Sequence, residues 1–385
     1  MYQLGKKLNL DELRLILGED KKADDYSIKR IIFDSRIAQR GDLFIPLKGQ
    51  KYNGENFVNS VIEKNAAVLT SQNISNQSIQ VPNVYEALLK LCRYKLSVLK
   101  PKTIFITGSY GKTTIKDMLM AALGPACHVS NENENNEFGI PFTILSMPET
   151  TEYLVVECGA RKQGDFDLIS KFLYCDIFIL TSIANNHLKT FGSVENIINT
   201  KLKLRECLIE SSNFIDGRLI TKDKIIETNK EIVKQTLSFL SIEKNLDQID
   251  FSPTTGRGNR INKFGGQIID QTYNAHPDTI LATAMEEDSE ETILILGDMA
   301  ELGDDEKNIH ATLLNQLDDY QIYFTGKIFE SLKENIKNQK HIFFKGKQDF
   351  PVDYLAKQLK VGKKIYFKGS RSSKMEIYLN MLLND

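Results

Sequence analysis

The sequence lacks any strong excess of charge of one sign. Its 385 residues include 49 Lys plus Arg against 51 Asp plus Glu, which gives a formal net charge of −2. This balance provides no overall field that would gather nucleic acid or an anionic membrane surface, so a protein that coats a polyanion is disfavoured. Hydrophobic residues make up 41% and charged residues 26%, which excludes disordered, collagen-like and coiled-coil classes.

Cysteines and long apolar runs are also scarce. The five cysteines are an odd number without a C-x-x-C pair, which argues against a zinc site or a disulfide framework and favours free thiols in a reducing compartment. The most apolar run, residues 174–183, is about half of the ~20 residues that span a bilayer. Residues 1–20 carry charges where a signal peptide needs an apolar core. We therefore expect a cytoplasmic protein with no membrane span and no nucleic-acid partner.

Strand and helix patterns alternate along most of the chain. Residues 28–72 predict a small α/β domain, and from Lys102 onward the alternation favours a mainly parallel sheet with helices on its faces. A stretch containing Gly, Pro and Arg at 252–260 is typical of a linker, and a third α/β unit follows it. The predicted fold class is α/β, with domains at residues 1–82, 83–258 and 259–385.

A glycine loop of sequence GSYGKTT lies between the predicted strand TIFIT and an amphipathic helix. Glycines let backbone amides approach phosphate oxygens, the helix N-terminus points at the anion, a lysine neutralises it and a hydroxyl binds magnesium. The spacing is G-x-x-G-K-T, a variant of the commoner G-x-x-x-x-G-K-T. A tight turn with an incidental lysine is the alternative. The residues predicted to bind phosphate are Gly108, Ser109, Tyr110, Gly111, Lys112, Thr113 and Thr114.

Two further side chains follow predicted strands, where open α/β sheets place their ligands. Glu157 ends the strand LVVE, and His187 follows the strand IFILTSI. Taken alone, Glu157 could be a solvated carboxylate at a strand end, and His187 could be an ordinary loop histidine. Together with the phosphate loop they predict a site for a nucleotide and magnesium.

Taken in order, these motifs resemble those of the Mur ligase family, which forms amide bonds in peptidoglycan assembly with ATP, and most closely its MurF-type members. DSR, GDLF and LKG resemble the uridine-nucleotide domain. TGSYGKTT, NNE with GIP, and ECGA resemble motifs of the central domain, and GR, D-x-x-YNA, LGDM with ELG, and KGSR those of the third. The resemblance implies a three-domain architecture: a small N-terminal α/β domain, a central P-loop domain with a mainly parallel sheet, and a Rossmann-like C-terminal domain.

The resemblance also implies a reaction and its residues. ATP and Mg²⁺ would activate a UDP-linked muropeptide, UDP-MurNAc-tripeptide, as an acyl phosphate that D-alanyl-D-alanine attacks, in a monomeric enzyme. The implied catalytic residues are Lys112, His187 and Lys201, of which Lys201 would be carbamylated. The implied metal ligands are Thr113, Glu157, His187 and Lys201. The implied nucleotide contacts outside the loop are Asn229, Arg257, Asp270 and Asn274. The implied substrate contacts are Ser35, Arg36, Lys48, Asn135, Asn136 and Arg371.

Departures from the family pattern keep other functions open. The segment between Phe214 and Asn229 is several dozen residues shorter than in the family, and His276 replaces the usual second asparagine. A related ligase that acts on a different carboxylate is the first alternative. A nucleotide-binding regulatory protein that has lost ligation is the second, and retention of the candidate metal ligands argues against it. A P-loop kinase or motor fits the loop spacing less well and leaves the first domain unexplained.

Overall fold

The structure is a computed structural model. It describes the residues 2–4, 8–19, 26–49, 52–72, 74–132, 134–184, 188–249, 251 and 253–384. These residues form two compact units. The first unit comprises residues 1–107, 122–180 and 199–215, and the second comprises residues 108–121, 181–198 and 216–385.

Strands and helices alternate along the described chain, as the sequence pattern predicts. The strands are β1 (Leu8–Asn9), β2 (Ser27–Ile28), β3 (Arg30–Ile32), β4 (Asp42–Phe44), β5 (Ala67–Thr70), β6 (Ser78–Gln80), β7 (Lys102–Thr107), β8 (Cys127–Val129), β9 (Tyr153–Glu157), β10 (Ile177–Leu180), β11 (Phe214–Asp216), β12 (Asn259–Lys263), β13 (Gly266–Gln271), β14 (Thr292–Gly297), β15 (Gln321–Thr325), β16 (His341–Phe343) and β17 (Lys364–Lys368). The helices are α1 (Leu10–Leu17), α2 (Val58–Ile62), α3 (Val84–Leu99), α4 (Lys112–Leu123), α5 (Gly139–Ser146), α6 (Asp167–Phe172), α7 (Leu188–Phe191), α8 (Val194–Leu202), α9 (Ile225–Phe239), α10 (Pro277–Ala284), α11 (Glu306–Gln316), α12 (Lys327–Leu332), α13 (Val352–Lys360) and α14 (Glu376–Leu383).

The first unit contains a four-stranded and a five-stranded sheet. The four-stranded sheet has the order β3-β4-β5-β6, with all neighbours parallel. The five-stranded sheet has the order β11-β10-β7-β9-β8, and β7 pairs in parallel with both β10 and β9. Strands β7, β9 and β10 are therefore adjacent, and parallel strands end at one edge of a sheet. The phosphate loop follows β7, and Glu157 is the last residue of β9.

The second unit contains a six-stranded sheet of order β12-β13-β17-β14-β15-β16. Strand β12 is antiparallel to β13, and the other neighbours are parallel. Strand β14 shows why such strands read as continuous apolar runs. Ile293 and Ile295 pack into one core cluster, and Leu294 and Leu296 pack into another. Side chains alternate between the two faces, and both faces are covered, so the four positions 293–296 are all apolar.

The sequence pattern missed β12. This strand begins at Asn259, inside the stretch predicted as a linker, and its residues NRINK are only half-buried or exposed. Polar edge strands lack the apolar run on which strand prediction depends. The predicted domain boundaries at residues 82 and 258 stay a prediction. No helix within the described ranges is long and apolar enough to cross a membrane.

A buried histidine fixes the loop after β14. His310 on α11 is completely buried; its Nε2 accepts a hydrogen bond from the Met299 N–H at 2.9 Å, and its Nδ1 lies 2.7 Å from the Glu306 carbonyl oxygen. A ring nitrogen that accepts must be unprotonated, so the imidazole is neutral with its proton on Nδ1. Burial lowers the pKa of His310 below its usual value of 6.5.

This histidine predicts a loss of stability in acid. Below pH 6.5 the unfolded chain binds a proton at His310 before the folded chain does, so the free energy of unfolding falls, by up to about 1.4 kcal/mol per pH unit. We expect the melting temperature to drop between pH 7.5 and pH 5.5, and to drop less in His310→Gln. Circular dichroism melts at both pH values measure the difference. An equal drop in the wild-type protein and the variant would contradict the assignment.

Candidate functional site

The phosphate loop is held by hydrogen bonds from residues 181–184, and both segments belong to the second unit. The Ser109 N–H donates to the Ser182 carbonyl at 2.9 Å, and the Tyr110 N–H donates to Ser182 Oγ at 2.9 Å. The Ala184 N–H donates to Ser109 Oγ at 2.9 Å. These contacts fix the loop backbone before any ligand binds, which lowers the conformational entropy that binding costs.

Gly108 permits this close approach. Its φ is +148°, and a Cβ on it would lie 2.0 Å from Thr181 Oγ1 and 2.9 Å from the Ser182 nitrogen. No side chain fits such spacing without displacing the backbone of one segment. The glycine is therefore required by packing as well as by conformation.

We expect Gly108→Ala to weaken nucleotide binding by roughly tenfold or more, because the added methyl group displaces the loop at a cost of about 1–3 kcal/mol. Calorimetric titration with a non-hydrolysable ATP analogue measures the effect. Gly346→Ala is the matched control, because a Cβ there meets no atom within 4 Å. Equal affinities of Gly108→Ala and Gly346→Ala would show that the loop tolerates the methyl group.

Lys112 begins α4 and is turned back over the loop. Its Nζ donates to the Gly108 carbonyl at 2.7 Å and lies 3.4 Å from the Ser109 carbonyl. The ammonium group is thus held at the mouth of the loop by neutral acceptors. A phosphate oxygen is a stronger partner for an ammonium than a carbonyl, because the hydrogen bond joins opposite charges.

A cavity of about 280 Å³ opens beside the loop, and all its lining residues belong to the second unit. Its apolar lining includes Ile225, Ile226, Phe251 and Pro253. Its predicted nucleotide contacts are Ser109, Tyr110, Gly111, Lys112, Thr114, Asn229, Arg257 and Asn274. The lining therefore combines apolar side chains with polar and cationic ones, as a base and a phosphate chain require.

The arginine of the predicted linker lies in this cavity. The Arg257 guanidinium lies 3.9 Å from the centre of the Tyr273 ring, a cation–π contact that orients it. Asp270 is buried behind the lining, where its carboxylate accepts hydrogen bonds from the Gly256 N–H at 3.1 Å and Thr272 Oγ1 at 2.7 Å. In this arrangement Asp270 fixes the backbone beside Arg257. A contact between Asp270 and the nucleotide stays a prediction.

The predicted metal ligand Glu157 is oriented by its neighbours in the first unit. Its side chain is 5% exposed; Asn135 Nδ2 donates to Glu157 Oε1 at 2.9 Å, and the Glu157 N–H donates to Ser130 Oγ at 2.9 Å. Asn135 was predicted as a substrate contact, and its amide here points at the carboxylate. Asn136 Oδ1 accepts from the Phe138 and Gly139 N–H groups, so this side chain shapes the turn before α5.

The remaining predicted catalytic and metal-binding residues are Lys201, Thr113 and His187. Lys201 lies near the end of α8 and is 4% exposed. Thr113, in the first turn of α4, is also 4% exposed. His187 lies outside the described residues. The metal and catalytic roles of all three stay predictions.

The predicted substrate residues of the first domain follow two adjacent parallel strands. Ser35 and Arg36 form a 3-10 turn soon after β3, and Lys48 follows β4. Arg36 Nη2 lies 2.6 Å from Asp34 Oδ2, and this hydrogen-bonded pair lowers the pKa of Asp34 to about 2. These residues therefore share the carboxyl edge of the four-stranded sheet, where such sheets bind ligands.

Comparison with known proteins agrees with this geometry. Residues 106–264 match the family model of the Mur ligase middle domain. A UDP-N-acetylmuramoyl-tripeptide--D-alanyl-D-alanine ligase of Bacillus subtilis is 29% identical over 91% of this chain and 92% of its own length. The same enzyme of Haemophilus influenzae is 26% identical over 96% of this chain and 97% of its own. These findings support a Mur ligase of the MurF type.

Solved structures agree with the predicted α/β three-domain architecture. MurF from Acinetobacter baumannii superposes with a TM-score of 0.81 at 23% identity, covering 99% of both chains. MurF from Thermotoga maritima, solved in complex with ADP, gives a TM-score of 0.78 at 24% identity, covering 92% of this chain and 97% of its own. The predicted α/β fold class is therefore confirmed.

Sequence reasoning missed several residues of the cavity. Lys368, at the end of β17, lines it together with Gln271 and His276. Lys368 opens the KGSR motif directly after a buried apolar strand, and this position at a strand end was the available signal. Arg371, predicted from the same motif, lies 3.5 Å from Glu376 Oε1 and 5.9 Å from the Tyr273 ring centre.

Proposed function

We propose that this Mur ligase uses ATP to join UDP-N-acetylmuramoyl-tripeptide to D-alanyl-D-alanine, forming an amide bond in peptidoglycan precursor synthesis. The observation that carries the proposal is the preformed phosphate loop, whose residues share one cavity with Arg257 and Asn229. Its full-length relatives, at 25–29% identity, bear that enzyme's name. A MurF structure with ADP supports ATP as the nucleotide.

The chemistry explains the need for ATP. A carboxylate is a poor electrophile, so its oxygen first attacks the γ-phosphorus of ATP, and ADP leaves. The amine nitrogen then attacks the acyl carbon of the acyl phosphate, phosphate leaves, and the nitrogen loses a proton. The protein contributes mainly positioning and neutralisation of charge on the transferred phosphoryl group. In this proposal the loop amides and Lys112 hold the phosphate chain, and Arg257 reaches it from the linker.

The candidate metal ligands fit Mg²⁺. Thr113 and Glu157 offer oxygen atoms, which this cation prefers, and Glu157 is oriented by Asn135. Within the described part of the chain no cluster of three His, Cys, Asp or Glu side chains forms a metal cage. Mg²⁺ in nucleotide enzymes is usually held by one or two protein groups together with phosphates and water. When bound, it would neutralise phosphate charge; His187 and a carbamylated Lys201 are proposed as further ligands.

The substrates would contact residues of all three predicted domains. We propose that Ser35, Arg36 and Lys48 contact the uridine nucleotide, that Asn135 and Asn136 lie near the muropeptide, and that Arg371 contacts the incoming dipeptide. The amide of Asn135 would then serve both the carboxylate of Glu157 and the substrate. The monomeric state and the cytoplasmic location stay predictions.

A phosphate-release assay tests the proposal. Purified protein is incubated with ATP, Mg²⁺, UDP-N-acetylmuramoyl-tripeptide and D-alanyl-D-alanine, and each component is omitted in turn. We expect phosphate release only in the complete mixture, with the ligated product seen by mass spectrometry. Binding of ATP without release in any mixture would favour a regulatory protein. No binding of ATP would refute the proposed function as a whole.

A related ligase with a different carboxylate is the second candidate. The alignment with the Bacillus subtilis relative extends over 421 residues, more than the 385 residues of this chain, so that relative has residues that this chain lacks. In the structure only residues 217–224 separate β11 from α9. No phosphate release with the muropeptide, together with phosphate release with another carboxylate in the same assay, would support this candidate.

A further inference from the structure

Lys368 is a buried lysine in the nucleotide cavity. Its side chain is 5% exposed, and Nζ donates to Gln271 Oε1 at 2.6 Å. In the sheet it lies between Gln271 of β13 and Leu296 of β14, neither of which is charged. An ammonium group has three N–H donors, so one amide oxygen leaves most of its capacity for hydrogen bonding unused.

The charges around Lys368 do not balance it. Among the described residues no carboxylate lies within 4.0 Å of its Nζ, and the nearby Arg257 is itself a cation. Burial, together with the charge of Arg257, lowers the pKa of Lys368 to about 7. The other titratable or charged side chains that line the cavity are Tyr110, Lys112, Arg260, Tyr273, His276 and Glu286. Glu286 accepts a hydrogen bond from the Ile225 N–H, and Asp270 faces Gly256 and Thr272.

We propose that Lys368 binds a phosphate group of the nucleotide as a second cation beside Arg257, and that it takes up a proton when this anion enters. The inference rests on the proposed ATP function, because it assigns a further residue to the same cavity. An oxyanion restores the charged form of a buried lysine, since an opposite charge nearby favours the ammonium. A phosphate is favoured over a carboxylate because Lys368 shares the cavity with the loop residues Ser109–Lys112.

Calorimetric titration with a non-hydrolysable ATP analogue tests this inference. The titrations are run at pH 8.0 with saturating Mg²⁺, in two buffers that differ in ionisation enthalpy, so that the proton count per binding event can be calculated. We expect the wild-type protein to take up a substantial fraction of a proton. Lys368→Met should bind at least about tenfold more weakly, since a charged hydrogen bond is lost, and should take up none. Lys368→Arg should regain part of the affinity without proton uptake, because arginine is always charged.

The controls separate this inference from the proposed function. Lys357→Met, an exposed lysine on α13, should behave as the wild-type protein does. Failure of the wild-type protein to bind the analogue would refute the ATP function itself. Wild-type affinity and proton uptake in Lys368→Met would overturn only the role of Lys368. Proton uptake on titration with D-alanyl-D-alanine alone, lost in Lys368→Met, would assign the lysine to a carboxylate and overturn the phosphate assignment.

Discussion

Lys112→Ala is expected to lose ATP-dependent ligation by at least several hundredfold while the protein stays folded. The ammonium lies at the N-terminus of α4, next to the loop that we propose binds the phosphates, and no other lysine lies in the loop. Neutralising the transferred phosphoryl group is the main protein contribution to such reactions, so removing this charge raises the barrier directly. Phosphate release with the complete substrate mixture measures the loss.

The controls for Lys112 separate the loss of its charge from a change in the structure of the loop. Its Nζ also donates to the Gly108 carbonyl, so part of the effect of alanine could come from a disturbed loop. Lys112→Arg keeps the charge and a donor, and we expect it to bind nucleotide better than alanine does, with poor turnover because the larger guanidinium misplaces the phosphate. Lys357→Ala should be fully active. Wild-type turnover of Lys112→Ala would show that the loop is an ordinary strand-to-helix turn.

The strand, glycine turn and helix of the phosphate loop were predictable because they are local in sequence. Strand, glycines, lysine and helix follow each other within β7, the loop and α4, and each has a physical signature in its own residues. The buried strands of the six-stranded sheet were predictable for a similar reason. Strand β14 is apolar at every position between Thr292 and its final glycine, because the sheet is covered on both faces.

The cavity could not be predicted from the sequence in the same way, because its residues are far apart along the chain. Lys368 and Gln271 are 97 residues apart, and they meet only because β13 and β17 are neighbours in the sheet. Strand order depends on chain connections and packing that are spread over the whole domain. The loop that supports the phosphate loop, residues 181–184, is likewise distant in sequence and carries no motif of its own.

Some residues of recognised motifs have contacts that the motif did not indicate. In the LGDM motif the Asp298 carboxylate accepts hydrogen bonds from the Ile328 and Phe329 N–H groups at the start of α12. Its carbonyl oxygen accepts from Ser370 of the KGSR motif. A carboxylate at a helix N-terminus satisfies donors that the helix leaves unpaired. The two motifs are therefore joined in space, which a string of residue types does not reveal.

Lys201→Ala is expected to be inactive, and short carboxylic acids such as acetate are expected to restore part of its activity. A lysine that is 4% exposed would react as its neutral amine with carbon dioxide, forming a carbamate and releasing a proton. The product is an anion with two oxygen atoms, the kind of ligand that Mg²⁺ prefers. Alanine leaves space in which a small carboxylate can supply the same oxygens. Phosphate release as a function of acetate concentration measures the rescue.

Neighbouring positions on the chain provide the controls for Lys201. Lys203→Ala should be fully active, because this lysine is more exposed and pairs with Glu206 at 2.8 Å. Lys201→Arg should be inactive and insensitive to acetate, since a guanidinium forms no carbamate and fills the space. Carbon-13 NMR after incubation with labelled bicarbonate should show a carbamate signal in the wild-type protein that Lys201→Ala lacks. Full activity of Lys201→Ala without added acid would show that Lys201 is an ordinary helix lysine with no catalytic role.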